Sequence, residues 1–276
     1  MNDHELAAQL AYQAGQLLLD VRGDISPIPD GELAPFDQKA LGDEGDRLAN
    51  DFLISRLKTD RPDDVILSEE SLDPATRHNA NRVWIIDPLD GTSSFSRGYP
   101  GFAVHVALWE RGSHLPGSIS AAAVSVPMFD ITLSTADDPE RMRGEFPDLS
   151  HVATVQSQHK ADGIRIVTSP SRPPQQLAAV TSALSADFNQ SVVVQRMGSV
   201  GAKTCFIILG HADIYINTVG FHEWDLAAPL GVAHHYGLSA CLPSGESFEL
   251  NQPRTELGGA LISQPQFVDT ILRSLA

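Results

Sequence analysis

Two aspartates three positions apart, Asp87 and Asp90, mark the stretch of this sequence that is best suited to chemistry. The apolar run 83–86 leads directly into them, with a proline and a glycine close by, so the pattern predicts a buried strand that ends in a tight turn. Mg²⁺ prefers oxygen ligands and is usually held by one or two carboxylates together with phosphate oxygens and waters. The turn would aim the carbonyl of Leu89 at the same ion. A turn that binds no ion is the alternative.

Other carboxylates stand at the ends of predicted elements. Glu69 and Glu70 follow the short apolar run 64–68, which reads as a strand, and alternation along a strand would aim only one of them at a shared site. Asp46 and Asp225 each begin a predicted helix, where an aspartate also serves as a simple cap. Asp46, Asp225 and one of the two glutamates are therefore candidate site residues, and their ordinary structural roles remain open.

The first half of the chain combines helices with strands. Leu6, Leu10 and Leu17 recur at helical spacing and predict an amphipathic helix over 3–21. Polar residues with prolines and glycines predict a loop over 22–43, and a second helix is expected from about 46 to 57. Alternating or apolar runs predict strands at 102–109, 117–126 and 131–134, so residues 1–136 form an α+β half.

The second half is predicted to be α/β. Polar residues over 137–163 lack a sustained period, and we place a linker between two domains there. A strand at 164–169, a helix at 175–184 and a strand at 191–194 favour a parallel or mixed sheet in a domain over 164–276. Helices are expected after Ser199 and from Asp225 to about Tyr236, followed by a strand and helix in the tail.

Composition narrows the classes of function. Of 276 residues, 42% are hydrophobic and 20% charged, which is typical of a globular protein. The net charge of −16 argues against nucleic acid polymers and anionic membranes as partners. The N-terminal residues lack the basic start and apolar centre of a secretion signal, so we expect a cytoplasmic location. Cys205 and Cys241 are too few for a disulfide framework and are expected to be buried thiols.

Three ordered motifs carry a resemblance to the inositol monophosphatase superfamily. The run WIIDPLDGT at 84–92 resembles its W-x-I-D-P-[IL]-D-G-T signature, EES at 69–71 precedes it, and WDLAA at 224–228 resembles W-D-x-A-[AG]. The similarity extends over nearly the whole chain. It implies a layered αβαβα sugar-phosphatase-type fold and a phosphatase that requires two or three Mg²⁺ ions and is inhibited by Li⁺. Relatives of this kind are often homodimers.

The resemblance also implies roles for individual residues. The metal ligands would be Glu69, Asp87, the Leu89 carbonyl, Asp90 and Asp225. The amides of Gly91, Thr92 and Ser93 would bind the substrate phosphate, and Asp225 would also contact the substrate. Thr92 and Asp46 would orient the attacking water, although the residues around Asp46 depart from the P-V-T-x-A-D block of the relatives. His105 is expected to be an ordinary sheet histidine.

The block GSVGAKTC at 198–205 resembles a G-S-x-x-x-K-x-C segment of the 3′-phosphoadenosine 5′-phosphate phosphatases within the superfamily. By that resemblance Ser199 would meet the ligand and Lys203 would face a second phosphate; an N-cap and a surface lysine are the alternatives. The Tyr-Pro-Arg of those relatives is Tyr-Ile-Asn at 215–217. A P-loop and a Ser-x-x-Lys acyl enzyme both fail on spacing.

The expected function is hydrolysis of 3′-phosphoadenosine 5′-phosphate to AMP and phosphate, a step linked to sulfate assimilation. The same scaffold would also suit an inositol monophosphatase or a fructose-1,6-bisphosphatase. A non-catalytic phosphate-binding protein is the alternative from another class, but all four side-chain metal ligands are intact. The partner is therefore expected to be a small phosphate ester.

Overall fold

The computed structural model describes residues 1–28, 32, 34, 36–112, 117–142 and 163–275. Its helices, numbered along the chain, are α1 (Asp3–Arg22), α2 (Gln38–Asp60), α3 (Thr92–Ser96), α4 (Pro139–Met142), α5 (Leu177–Phe188), α6 (Val200–Ile208), α7 (Glu223–His235) and α8 (Val268–Leu275). Its strands are β1 (Val65–Ser68), β2 (Arg82–Asp90), β3 (Ala103–Glu110), β4 (Ser118–Val126), β5 (Ile131–Ser134), β6 (Ile164–Thr168), β7 (Val192–Arg196), β8 (Ile214–Asn217), β9 (Phe221–His222), β10 (Ser239–Cys241), β11 (Glu256–Leu257) and β12 (Ala260–Ser263).

The strands form two five-stranded sheets and a short pair. The first sheet has the order β1-β2-β3-β4-β5, in which β1 and β2 are parallel and the other pairs antiparallel. The second sheet has the order β10-β12-β8-β6-β7, with β6 parallel to both β7 and β8. The remaining two strands, β9 and β11, pair with each other. The mixed second sheet agrees with the β-α-β order of the sequence.

Alternation along β2 shows how the layers pack. Trp84 and Ile86 face a core that they share with α1 and α2, whereas Val83 and Ile85 face the opposite core, which contains residues of α6, α7 and the second sheet. The far face of the second sheet packs against α5 and α8. The order of layers is therefore helix, sheet, helix, sheet, helix, and the predicted layered fold, α+β followed by α/β, is confirmed.

The second helix begins earlier than the sequence predicts. It starts at Gln38 rather than near Asp46, and the side chain of Asp37 caps it by accepting a 3.1 Å hydrogen bond from the amide of Ala40. The prediction of a loop through residue 43 is therefore wrong at its end, and Asp46 lies inside the helix. Glycines at 42 and 45 suggest a loop by composition, but in the structure they allow close helix packing.

Other departures are smaller. Strand β2 continues through Asp90 with a register shift between Asp87 and Asp90, so these aspartates end a strand rather than occupy a separate turn. The thiol of Cys205 is buried as expected, whereas Cys241 is only partly buried. The division into two domains stays a prediction, because most of the interval 137–163 lies outside the described residues. No described helix combines the length and the apolar character needed to cross a membrane.

Candidate active site

A cavity of about 640 Å³ opens where the ends of β1 and β2 meet the first turns of α6 and α7. Ten of the eleven predicted site residues line it: Glu69, Asp87, Leu89, Asp90, Gly91, Thr92, Ser93, Ser199, Lys203 and Asp225. Asp46 is the exception. Residues that are far apart in the sequence are thus brought to one cavity, and their individual roles stay predictions.

Three carboxylates form the centre of the cavity wall. Asp87, Asp90 and Asp225 each offer one oxygen, and these oxygens lie within 4.8 Å of one another. Asp87 is fully buried; its Oδ1 accepts a 3.0 Å hydrogen bond from the amide of Leu89, but its Oδ2 has no hydrogen-bond partner among the described residues. Burying a carboxyl oxygen without a partner is costly, so this oxygen fits a bound proton or cation. The donor set is one that suits a divalent metal ion.

Glu69 adds a fourth carboxylate. It follows β1, which is parallel to β2, so Glu69 and Asp87 lie at the same edge of the sheet. Burial raises the pKa of Glu69 to about 7, and the negative charge of Asp225 contributes to the same shift. Burial and the charge of Glu69 raise the pKa of Asp87 well above its ordinary value, and burial with the charge of Asp90 raises that of Asp225 to about 6. The cluster therefore favours bound protons or cations.

Asp90 differs because neighbouring groups from both halves of the chain stabilise its charge. Its Oδ2 accepts hydrogen bonds from Ser199 Oγ at 2.6 Å and from the amides of Gly201, at 3.1 Å, and Val200. Burial by itself would raise the pKa of Asp90, but His105, Lys203 and Ser199 together lower it to about 2. Asp90 is thus ionised at neutral pH.

His105 is a site residue that the sequence did not reveal. Its Nε2 lies 3.2 Å from Asp90 Oδ2, and its Nδ1 lies 3.2 Å from the carbonyl oxygen of Trp224. The ring is fully buried, and His105 is a residue of strand β3, as expected, that also contacts a carboxylate of the cavity wall. His105 is paired with Asp87 in the register of β2 and β3. This pairing could have revealed its contact, but the register cannot be read from the sequence alone.

The start of α7 holds Asp225 in place. Asp225 lies in the first turn of the helix, not at its N-cap, and its Oδ2 accepts a 2.6 Å hydrogen bond from the amide of His222, which is the N-cap residue. The adjacent carboxylate of Glu223 is buried and accepts hydrogen bonds from the amides of Asn251 and Gln252 at 2.7 and 2.9 Å. The hydrogen bonds of Glu223 and Asp225, the two neighbours of Trp224 in the chain, thus hold the first turn of α7 in place.

Thr92 and Asp46 lie on the α2 side of the site. Thr92 Oγ1 donates a 3.2 Å hydrogen bond to the carbonyl of Leu89, and a Cβ at Gly42 would come within 2.9 Å of the Thr92 methyl group. Asp46 lies one helical turn after Gly42 and therefore on the same face. Burial, with the charges of Glu70 and Glu69, raises the pKa of Asp46 to about 7. Its carboxylate is thus close to the acidic cluster.

Ser199 and Lys203 organise the start of α6. Ser199 is the N-cap: its Oγ accepts a 3.0 Å hydrogen bond from the amide of Ala202. Its φ of +56° is unusual for a residue other than glycine. Lys203 is buried, so a surface lysine is excluded; its ammonium donates to the carbonyls of Ser199, at 2.5 Å, and Met197, at 3.3 Å, and lies 4.8 Å from the centre of the Tyr215 ring. Lys203 therefore holds Ser199 in this strained conformation.

Three arginines on the cavity wall were also missed. Arg97 follows α3, Arg172 follows β6, and Arg196 is the last residue of β7. Each stands alone in the sequence without a motif. They become recognisable only when the strand order brings their segments to the same cavity.

The raised carboxyl pKa values predict that stability depends on pH and on metal. Asp46, Glu69 and Asp225 have pKa values of about 7, 7 and 6. Protons bound at these groups stabilise the fold fully below the unfolded pKa near 4, and this contribution is lost as pH rises through about 6 to 7. In chelator, Tm should therefore fall between pH 5 and pH 8, and Mg²⁺ should raise Tm by several degrees more at pH 8.

Thermal melting at both pH values, with and without Mg²⁺, checks this expectation. NaCl at matched ionic strength is the control for general screening. An equal Mg²⁺ effect at the two pH values would show that these carboxyls do not hold the ion.

Comparisons with known proteins agree with this geometry. A model of the Inositol monophosphatase family matches residues 3–274. The chain is 39% identical over 260 residues to a protein of Mycobacterium leprae named 3'-phosphoadenosine 5'-phosphate phosphatase, with 91% of this chain and 85% of that protein covered. It is 38% identical over 271 residues to a protein of the same name from Mycobacterium tuberculosis, with coverages of 95% and 89%.

A solved structure supports the fold. The extragenic suppressor protein suhB of Bartonella henselae superposes with a TM-score of 0.68 at 20% identity, and the superposition covers 98% of each chain. At that identity, the likeness concerns the arrangement of helices and sheets. The resemblance that the three sequence motifs indicated is confirmed by the family match.

Proposed function

Because the chain belongs to the inositol monophosphatase family of metal-dependent phosphatases, we propose that it hydrolyses 3′-phosphoadenosine 5′-phosphate to AMP and phosphate. The observation that carries the proposal is a single cavity in which three carboxylates within 4.8 Å lie beside the buried Lys203. Its volume of about 640 Å³ falls in the range typical of sites for small-molecule ligands. The two mycobacterial relatives named for this reaction cover more than nine-tenths of the chain and support the same substrate.

In this proposal, Glu69, Asp87, the Leu89 carbonyl, Asp90 and Asp225 would hold two or three Mg²⁺ ions. When bound, such ions supply Lewis-acid activation of water and of the phosphate ester. The chain itself keeps Asp90 ionised through Ser199 and the first amides of α6. It also excludes water from the side of the carboxylates that faces away from the cavity, because Asp87 and His105 are fully buried.

The remaining roles concern the phosphate and the attacking water. The amides of Gly91, Thr92 and Ser93 stand at the first turn of α3, where amides lack acceptors within the helix and can bind phosphate oxygens. Thr92 and Asp46 orient the water. With a pKa of about 7, Asp46 is suited to accept a proton near neutral pH.

The proposal includes several properties of the whole protein. Li⁺, another hard cation, would inhibit by competing at the carboxylates. The reaction would clear a by-product of sulfate assimilation in the cytoplasm. A homodimer is also proposed, on the grounds that related enzymes often form one.

Phosphate release tests the proposed reaction. The substrates are 3′-phosphoadenosine 5′-phosphate, inositol 1-phosphate and fructose 1,6-bisphosphate, each with Mg²⁺, with Mg²⁺ plus Li⁺, and with chelator. We expect the highest kcat/KM on the nucleotide and its loss with Li⁺ or chelator. If the protein prefers inositol 1-phosphate or fructose 1,6-bisphosphate, that compound is the substrate and the proposed one is wrong. If it releases phosphate from none of the three, the alternative of a non-catalytic phosphate-binding protein is favoured.

A further inference from the structure

Besides its carboxylates, the cavity has a cationic end formed by Arg172 and Arg196, next to the buried Lys203. We propose that Arg172 and Arg196 bind the phosphate group of the substrate that is not hydrolysed, and so select bisphosphates over monophosphates. The inference rests on the proposed function and adds to it the residues that determine specificity. It also changes the part given to Lys203, which the sequence suggested as the contact for that phosphate.

Lys203 is already engaged by the protein. An ammonium group has three N–H donors, and two carbonyls accept from it, those of Ser199 and Met197, while the aromatic ring of Tyr215 lies 4.8 Å away. Its side chain is buried, with only 3% of the residue exposed. Lys203 thus holds the loop before α6, and an anion that enters from solvent meets other donors first.

The strand order brings Arg172 and Arg196 together. Strands β6 and β7 are parallel, with Thr168 paired to Arg196, and Arg172 lies four residues beyond Thr168. Both arginines are therefore at the carboxyl edge of the second sheet, which is the edge where ligands of α/β sheets commonly bind. Arg196 also lies three residues before Ser199, whose hydroxyl contacts Asp90. The cationic edge and the carboxylates are thus joined by a short, fixed segment.

The charges around these arginines favour an anion. Both side chains are exposed to the cavity, and neither forms an ion pair with a carboxylate among the described residues. Burial and the positive charge of Arg172 lower the pKa of Lys203 to about 8, partly opposed by the negative charge of Asp90. Arg172 is thus close enough to Lys203 for repulsion. In a chain of net charge −16, cations that repel one another beside a cavity are stabilised by a bound anion.

Phosphate is the anion that fits this end of the cavity. A guanidinium presents planar pairs of N–H donors that match two oxygens of a phosphate group. The carboxylates can accept one phosphate group only together with bound cations. Their negative charge repels any further phosphate, so the second phosphate group of a substrate is expected at the arginines. A substrate with two phosphates would therefore lie with one at the carboxylates and one at the arginines.

Matched substrates test the inference. Adenosine 3′-phosphate has the same scissile ester as 3′-phosphoadenosine 5′-phosphate but lacks the second phosphate. Arg172→Gln and Arg196→Gln should each lower kcat/KM on the bisphosphate by about ten- to a hundredfold, the range of a lost charged hydrogen bond, and leave adenosine 3′-phosphate nearly unchanged. Arg273→Gln is the control, because Arg273 is exposed on α8 and pairs with Asp187.

Binding of the product gives a readout that does not need turnover. AMP keeps the second phosphate and adenosine lacks it, so calorimetry with Mg²⁺ should show weaker AMP binding by both variants and unchanged adenosine binding. The inference would be overturned if the variants lost kcat/KM equally on 3′-phosphoadenosine 5′-phosphate and adenosine 3′-phosphate, or lost affinity equally for AMP and adenosine. It would also be overturned if neither kcat/KM on the bisphosphate nor affinity for AMP fell. Failure of the unmodified protein to prefer AMP over adenosine would overturn it as well. If AMP binding depends on the arginines but 3′-phosphoadenosine 5′-phosphate is not hydrolysed, only the proposed reaction fails.

Discussion

Asp90→Asn is expected to lower kcat by about a thousandfold or more while Tm stays within a few degrees of the unmodified protein. The asparagine carbonyl oxygen can still accept from Ser199 Oγ and from the first amides of α6, so the local packing survives. The negative charge is lost, however, and with it the ionised oxygen next to Asp87 and Asp225. Metal binding and turnover should therefore fail together.

The measurement is phosphate release over a range of Mg²⁺ concentrations, with circular dichroism and thermal melting to establish that the variant is folded. Asp269→Asn is the matched control, because Asp269 is an exposed aspartate in the first turn of α8. If Asp90→Asn kept more than a tenth of the activity, the assignment of Asp90 as a metal ligand would be wrong.

Gly201→Ala is expected to reduce both stability and activity. An added Cβ would lie 2.2 Å from His105 Nε2 and 2.7 Å from a methyl group of Val124. The histidine ring is fully buried and contacts the carbonyl of Trp224, so it has no space to retreat. Overpacking of this kind costs about 1–3 kcal/mol, which lowers Tm by about 2–4 °C for each kcal/mol.

The activity effect of Gly201→Ala should be larger than its stability effect. The start of α6 must move away from His105, and its amides would then withdraw from Asp90. Displacement of a site by about 1 Å can cost on the order of a hundredfold in rate. Gly258→Ala is the control, because the nearest atom to its added Cβ is Leu242 Cδ2 at 3.4 Å, an ordinary van der Waals distance.

A second substitution separates steric pressure from other causes. With His105→Ala in the same chain, the space for the new methyl group is restored, and the double variant should be more stable than expected from the sum of the single changes. Simple additivity of the two losses would contradict the contact between Gly201 and His105.

Local patterns in the sequence predicted most of the elements but not the start of α2. The strand at 131–134 and the first helix agree with their predicted bounds, because alternation and helical spacing are local signals. Gly42 was interpreted as a loop residue on the same local basis, and Gly45 was left outside the predicted helix. In the structure, an added Cβ at each would lie 2.9 Å from the side chain of Thr92 or Phe95, so tertiary packing offsets the low helix propensity of glycine.

The site was predictable only where it follows a motif. The carboxylates of the first sheet and Asp225 stand in recognisable runs, and the structure brings them to one cavity. His105 was missed because its contact with Asp90 depends on the register of β2 and β3. Arg172 and Arg196 were missed because they meet only through the order β8-β6-β7 of the second sheet. Register and strand order are set by non-local packing, which no short pattern encodes.

The contact between Asp90 and the start of α6 has a consequence for biosynthesis. The donors to Asp90 Oδ2 come from residues 109 to 111 positions later in the chain. While the ribosome still holds those residues, Asp90 can contact His105 of the neighbouring strand but lacks the hydroxyl and amide donors of the second half. The predicted metal site, which also includes Asp225, is therefore expected to be complete only late in translation, when the chain beyond Asp225 has emerged.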